Sequence, residues 1–179
     1  GLLSGGPRDM PDRHRTLRNT LVWSYDLLDP EPKALFECLS VFSGGFSIEA
    51  AEAVCSVEGG GDILVSLSNL VDNSLIRREE FDGGKPRFRM LETIREFAFE
   101  QLEDHGELGE LQERHAKYYG EIVVNHVGVE LYTEKALYWL NWTERELSNL
   151  RGAMGWCLSD VGDLQLGTEI VFALIWFWY

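Results

Sequence analysis

Six of the sixteen basic residues in this chain fall between positions 74 and 99: Arg77, Arg78, Lys85, Arg87, Arg89 and Arg95. Glu79, Glu80, Asp82 and Glu92 are interleaved with them. Cations in that pattern can do two things. They pair with neighbouring carboxylates across a hairpin, or they hold an anion, either a phosphate or the acidic face of another domain. A second basic spot, Arg8, Arg13, Arg15 and Arg18, stands against Asp9 and Asp12. The charged residues elsewhere in the 179-residue chain are mostly acidic, and the formal charge is −14. That balance disfavours nucleic acid as the main partner, because phosphate binding needs clustered cations.

Other chemistry finds little support in the residues. No GxxxxGK[ST] occurs, and Gly59-Gly60-Gly61 runs into Asp62 while Gly83-Gly84 runs into Lys85-Pro86, so neither can cradle a nucleotide phosphate in the usual way. His115 and His126 fall on an apolar stripe without i, i+4 spacing, which reads as core or interface histidine and not as a metal site. His14, in Arg13-His14-Arg15, belongs to a solvated basic face. No Ser/His/Asp set or GxSxG is present. No catalytic residue and no metal ligand is therefore assigned, and this chain is not expected to be an enzyme. Cys38, Cys55 and Cys157 are odd in number, lack CxxC spacing and read as free thiols of a reducing cytoplasm. No signal peptide is visible, and the apolar run 170–179 is too short to span a bilayer.

The elements that would position the arginines follow from periodicity. Residues 15–28 read as a helix with Leu17, Leu21, Tyr25 and Leu28 on one face. Asp29-Pro30 opens a second helix that ends at Gly44-Gly45, Ser47 caps a third, and Asp62 caps a fourth. Residues 74–80 and 86–90 then alternate as strands around the turn Asp82-Gly83-Gly84-Lys85. After Met90 the apolar period lengthens again, through Leu91, Ile94, Ala98 and Leu102, to a helix stopped by Gly106. This is a mainly α arrangement: a winged-helix domain of helices plus a two-stranded β-hairpin. Residues 107–127 and 132–141 continue as helices. Thr143-x-x-Glu146 has the form of a capping box, opening a further helix with Leu147, Leu150, Met154 and Leu158 inward. An antiparallel helical-repeat array and a plain bundle both fit that second half. The expected layout is a linker over 1–14, a winged-helix domain over 15–105 and a helical segment over 106–179. The very apolar close, IVFALIWFWY, reads as a segment cut from a larger protein.

In a winged helix the helix before the hairpin enters the DNA major groove. Here that is residues 62–74, with no Lys or Arg and two Asp, and only Asn69 and Asn73 could read a base edge. Direct DNA binding by this module is therefore not expected.

Several motifs together resemble a known family: Arg15-Thr16-Leu17-Arg18, Trp23-Ser24-Tyr25-Asp26-Leu27-Leu28, Leu39-Ser40-Val41-Phe42, Leu70-Val71-Asp72-Asn73-Ser74-Leu75 and residues 88–96, Phe-Arg-Met-Leu-Glu-Thr-Ile-Arg-Glu. They are similar to the bacterial STAND, NB-ARC-like signal-transduction ATPases, often described as LuxR-type or AfsR-type transcriptional regulators. Glu144-x-Glu146-Leu147-x-Asn149-Leu150-Arg151 looks like the start of the tetratricopeptide-like (TPR-like) region of that family. The resemblance implies an upstream P-loop domain that binds ATP or ADP, with no cofactor in this chain. It also implies a downstream helical sensor with an effector of its own. The family carries a Met-His-Asp motif at the hairpin-to-helix junction whose His contacts ADP. The matching residues here are Met90-Leu91-Glu92, and Leu91 cannot donate to a phosphate. Arg87, Arg89, Met90, Leu91, Glu92 and Arg95 are the face expected to meet the nucleotide-binding domain, with Arg13, Arg15 and Arg18 as the other basic spot. Two further readings stand beside this one: a DNA-binding winged helix acting through its basic wing, and a helical protein-interaction scaffold.

Overall fold

The computed structural model describes residues 12–56, 62–79, 86–130 and 133–177, with the side chains of 12–17 and 176 outside the description. Residues 1–11 of the expected linker 1–14, the Gly59–Gly61 loop and the turn 82–85 lie outside the described residues. Helix α1 (Asp12–Asp26) buries Leu21 and Tyr25, one turn apart, and the Tyr25 ring meets Phe97 edge-on at 5.4 Å. Helix α2 (Pro30–Cys38) begins with Pro30 at its first position, where a missing N–H costs nothing, although the Asp29 side chain makes no capping hydrogen bond. The sequence places the end of α2 at Gly44-Gly45. The helix instead tightens into a 3-10 turn at Leu39–Val41, and the two glycines carry the chain onward at φ 112° and 102°.

Those glycines deliver the chain to a strand that the sequence reading leaves inside a loop, β1 (Phe46–Ser47). At two residues it is too short to show alternation. Ser47 then caps α3 (Ile48–Cys55), its hydroxyl accepting from the Ala50 N–H at 3.2 Å, and Asp62 caps α4 (Ile63–Asp72) in the same way through the Leu64 N–H at 2.9 Å. Strands β2 (Arg77–Glu79) and β3 (Arg87–Arg89) form the expected hairpin. The sheet has three strands in the order β1-β3-β2, all antiparallel, with β3 central. Phe88 lies opposite Phe46 on one side and Arg78 on the other. Helix α5 (Glu92–His105) ends at Gly106 in the left-handed conformation, φ 78°, as its residue type predicts.

The second half is helical: α6 (Leu108–Ile122), a π-helical turn at Val123–Val127, α7 (Gly128–Glu130), α8 (Ala136–Cys157) and α9 (Leu164–Leu174) running into a 3-10 turn at Ile175–Phe177. Here the capping-box reading is corrected. Asn141-Trp142 contains no breaker, so α8 runs straight through Thr143, whose buried hydroxyl donates to the Trp139 carbonyl one turn back at 2.8 Å. The inward face is also rotated from the expected one. Glu146, Asn149, Leu150, Ala153 and Cys157 are buried, whereas Leu158 is 68% exposed. Helix α9 lies close to α6: a Cβ on Gly120 would come within 2.7 Å of Leu166 Cδ1.

The two halves share a core. Phe42, from the first half, packs with His115 and Tyr119 of α6 at ring separations of 5.3 Å and 6.4 Å, and Phe46 packs on Phe42 at 5.1 Å. A second aromatic group, Tyr25, Phe36 and Phe97, joins α1, α2 and α5.

The cysteine reading is also corrected. Cys38 and Cys55 are joined in a disulfide, with their Cα atoms 5.8 Å apart, and Cys157 alone is free and buried. The chain folds back between the last residues of α2 and α3, a proximity that a 17-residue spacing does not reveal. Among the described residues no helix is long and apolar enough to cross a membrane.

Candidate functional site

Because β3 is central, its side chains reach both β1 and the helices beyond. Arg87 leaves this strand and is only 5% exposed. Its guanidinium forms a two-pronged pair with Glu146 of α8. Nη1 donates to Oε1 in a short contact, Nη2 donates to Oε2 at 2.9 Å, and Nη2 also reaches the Gly45 carbonyl at 3.1 Å. Asn149, one turn further along α8, donates to the same Gly45 carbonyl at 2.9 Å and to Glu146 Oε2 at 2.8 Å. Its own oxygen accepts from the Ser43 N–H at 2.8 Å. The Tyr119 hydroxyl donates to Glu146 Oε2 at 3.2 Å. Burial, reinforced by the Glu146 charge, raises the Tyr119 pKa well above that of a free phenol, so it stays a donor.

This network satisfies a buried cation, a buried anion and a buried amide together, which is the condition for keeping charge inside a protein. It spans the wing, the Gly44-Gly45 bend and α8. Gly45 admits no side chain here, since a Cβ would lie 2.8 Å from the Phe88 carbonyl oxygen. His115 packs against the network, and burial lowers its pKa to about 4, so it is neutral near neutral pH.

The structure divides the residues expected to face a nucleotide-binding domain. Arg87 is turned inward and neutralised by Glu146, and Met90 is buried, so both are taken up by this chain's own core. Arg89 remains on the surface, 3.8 Å from Glu79, and Leu91 is 44% exposed as the N-cap residue of α5, where it caps nothing. Glu92 is exposed, and Arg95 donates to it at 2.6 Å and to the Ser40 carbonyl at 3.1 Å. The hydrogen bond from Arg95 lowers the Glu92 pKa. In the other basic spot, Arg18 pairs with Glu100 of α5 at 2.5 Å, and the side chains of Arg13 and Arg15 lie outside the described residues.

Of the two candidate base readers, Asn73, the C-cap residue of α4, is turned back on the helix: its Nδ2 donates to both the carbonyl and the side-chain oxygen of Asn69. The outer face of α4 presents Leu64 at 49% and Val65 at 65% exposure and no cation. The wing presents Arg77, Arg78 and Arg89. Sequence reasoning missed Glu146 and Asn149 as site residues. The available signal was two polar residues on the same helical stripe as Leu150, Ala153 and Cys157.

Residues 28–103 match the winged helix-turn-helix domain family. Over 183 aligned residues, 98% of this chain, the sequence is 34% identical to the "Putative HTH-type transcriptional regulator" of Mycobacterium tuberculosis (strain H37Rv), and equally to its namesake in Mycobacterium bovis. It is 31% identical to an "Uncharacterized protein" of Mycobacterium tuberculosis over 120 residues, 65% of this chain. The chain spans about a fifth of the length of the first two relatives (20%) and 30% of the third. No solved structure matches it. The chain thus carries a winged helix-turn-helix domain and is similar to proteins named as transcriptional regulators.

Proposed function

We propose that this chain is the non-catalytic regulatory part of a larger signal-transduction ATPase of the STAND, NB-ARC-like kind, with transcriptional regulation as its output. The winged helix passes the state of an upstream nucleotide-binding domain to a TPR-like helical sensor that begins with α6 to α9. ATP or ADP binds outside this chain, in the cytoplasm, and the effector is a protein or small molecule held by the sensor.

The observation that carries this reading is the buried Arg87–Glu146–Asn149 junction. A central wing strand tied to α8 by a two-pronged ion pair cannot move without α8, so the wing and the helical segment form one lever. The exposed remainder of the junction, Arg89 and Leu91, is then the surface available to a neighbouring domain. The relatives' greater length leaves room for such domains, and their names support a regulatory output. Base reading by α4 is disfavoured, because the helix carries no cation and Asn73 Nδ2 is committed to Asn69.

The test uses the full-length protein with Arg89→Glu and Leu91→Glu together. Nucleotide exchange and reporter output are expected to change about 5-fold or more, the usual range of coupling between sites. Unchanged exchange and output would overturn the reading. The exposed Arg77, Arg78 and Arg89 favour a second reading, DNA contact through the wing. Salt-sensitive binding of a fluorescent duplex that is lost in Arg78→Ala would establish that alternative.

A further inference from the structure

Cys38 closes α2 and Cys55 closes α3, and the bond between them ties the two helix ends together. Both cysteines line a cleft of about 400 Å³ that is shared with Ile63, Leu111 and Arg114. Cys38 is 5% exposed, whereas Cys55 is only half-buried. Of the pair, Cys55 is the more accessible to a reagent entering the cleft. The bond holds the last turn of α3 in place, and beside it Arg114 Nη2 donates to the Ser56 carbonyl at 2.5 Å.

We propose that Cys38–Cys55 is a thiol–disulfide exchange site for an uncharged dithiol, and that its reduction releases the end of α3 from α2. The thiolate of the dithiol attacks Cys55 Sγ, a new S–S bond forms, and Cys38 leaves as a thiolate that takes up a proton. The second thiol of the reagent then attacks the mixed disulfide and expels Cys55. Two cysteine thiols result, and the dithiol is oxidised to its cyclic disulfide, so electrons and protons balance.

Two features set the character of the site. Each sulfur stands at a helix C-terminus, where the helix dipole disfavours a thiolate, so Cys38 is a poor leaving group and exchange is slow. The pair is thus suited to a switch and not to oxidising other proteins. Glu31, Glu107 and Glu110 line the same cleft against the single guanidinium of Arg114, which leaves it net negative and repels an anionic thiol such as glutathione.

The test labels the whole chain with N-ethylmaleimide, after trapping at lysis, and weighs it. The unreduced protein, denatured, should take up one maleimide, at Cys157. Protein treated with dithiothreitol while native, and denatured only for labelling, should take up three, and should be reduced faster than by an equal thiol concentration of glutathione. The melting midpoint should fall by about 5–10 °C on reduction, as expected for opening a loop of this length in a domain of this size. Cys38→Ser/Cys55→Ser should show the lower midpoint with or without reductant, and if that variant does not fold, the wild type with and without reductant carries the comparison. Three maleimides without reductant would show that no disulfide forms. Resistance of the native protein to dithiothreitol, with reduction only after denaturation, would make the bond a sealed staple. An unmoved midpoint would show that it switches nothing. Each of these results overturns the proposal.

Discussion

Arg87 and Glu146 are each too buried to be left alone, and that sets what their mutation does. Removing one partner strands the other charge away from water. Arg87→Ala or Glu146→Ala should therefore cost about 3–5 kcal/mol of unfolding free energy, and Arg87→Met/Glu146→Leu together should cost clearly less than the two alanine losses summed. A urea-unfolding double-mutant cycle measures this, and additive losses would show that the two side chains are energetically independent. Two histidines set the pH response in opposite directions. His115 is held at about 4, below the unfolded value of 6.5, so the folded state binds fewer protons between these limits. Its contribution is present above about pH 6.5 and is lost as pH falls toward 4, by up to about 1.4 kcal/mol per pH unit. His105 is raised, chiefly by its hydrogen bond to buried Glu37 at 2.7 Å, so its contribution is present below its unfolded value and is lost as pH rises through its folded one. His115→Gln should flatten the acid limb of the stability profile, and His105→Gln should flatten the neutral one, both read by unfolding at a series of pH values. From sequence, His115 was identifiable as a core residue because it interrupts an apolar stripe. Glu146 and Asn149 interrupt a stripe in the same way, but the spacing from Thr143 to Glu146 also satisfies a capping pattern, and that competing signal hid their role.

Helix α5 begins at an unusual residue. Ser, Thr, Asp or Asn at the N-cap accepts a hydrogen bond from the first turn, whereas Leu91 offers nothing there and leaves 44% of its surface exposed. Its backbone already has the extended N-cap conformation, φ −64° and ψ 144°. Leu91→Asp should therefore stabilise this chain by about 0.5–2 kcal/mol, seen as a raised melting midpoint. A fall would mean that the leucine packs within the fold. If the midpoint rises while signalling in the full-length protein drops, the leucine is kept for contact with a partner, a local rule broken for function. The caps that use an ordinary residue, Ser47 and Asp62, were legible from sequence, as were the hairpin and the glycine stop at Gly106, because each rests on one residue's chemistry. Strand β1 and the full length of α8 were not. A two-residue strand has no period, and α8 is continuous only because nothing in Asn141-Trp142 breaks it, a fact weaker than the apparent capping box at Thr143.

The expected boundary near residue 105 separates a winged helix from a helical segment by secondary structure, yet packing runs across it. Phe42 packs on His115 and Tyr119 across it, and Arg87 pairs with Glu146. The family match ends at 103, so the recognisable module carries a buried cation whose counter-ion lies outside it. A chain ending at 105 would take the counter-ion from Arg87 and leave the Phe42 face in water, a loss of apolar burial to be set against the roughly 5–15 kcal/mol that stabilises a typical domain. Calorimetry of the whole chain should show one cooperative transition, and the chain cut after 105 should melt much lower or fail to show a sharp transition. Two separated transitions in the whole chain, or a cut form as stable as the parent, would mean that the halves are independent and that the junction transmits nothing. A single transition would mean that any force applied to the wing reaches α8 through a continuous core, which is the mechanical requirement for coupling a domain on one side to a helical sensor on the other.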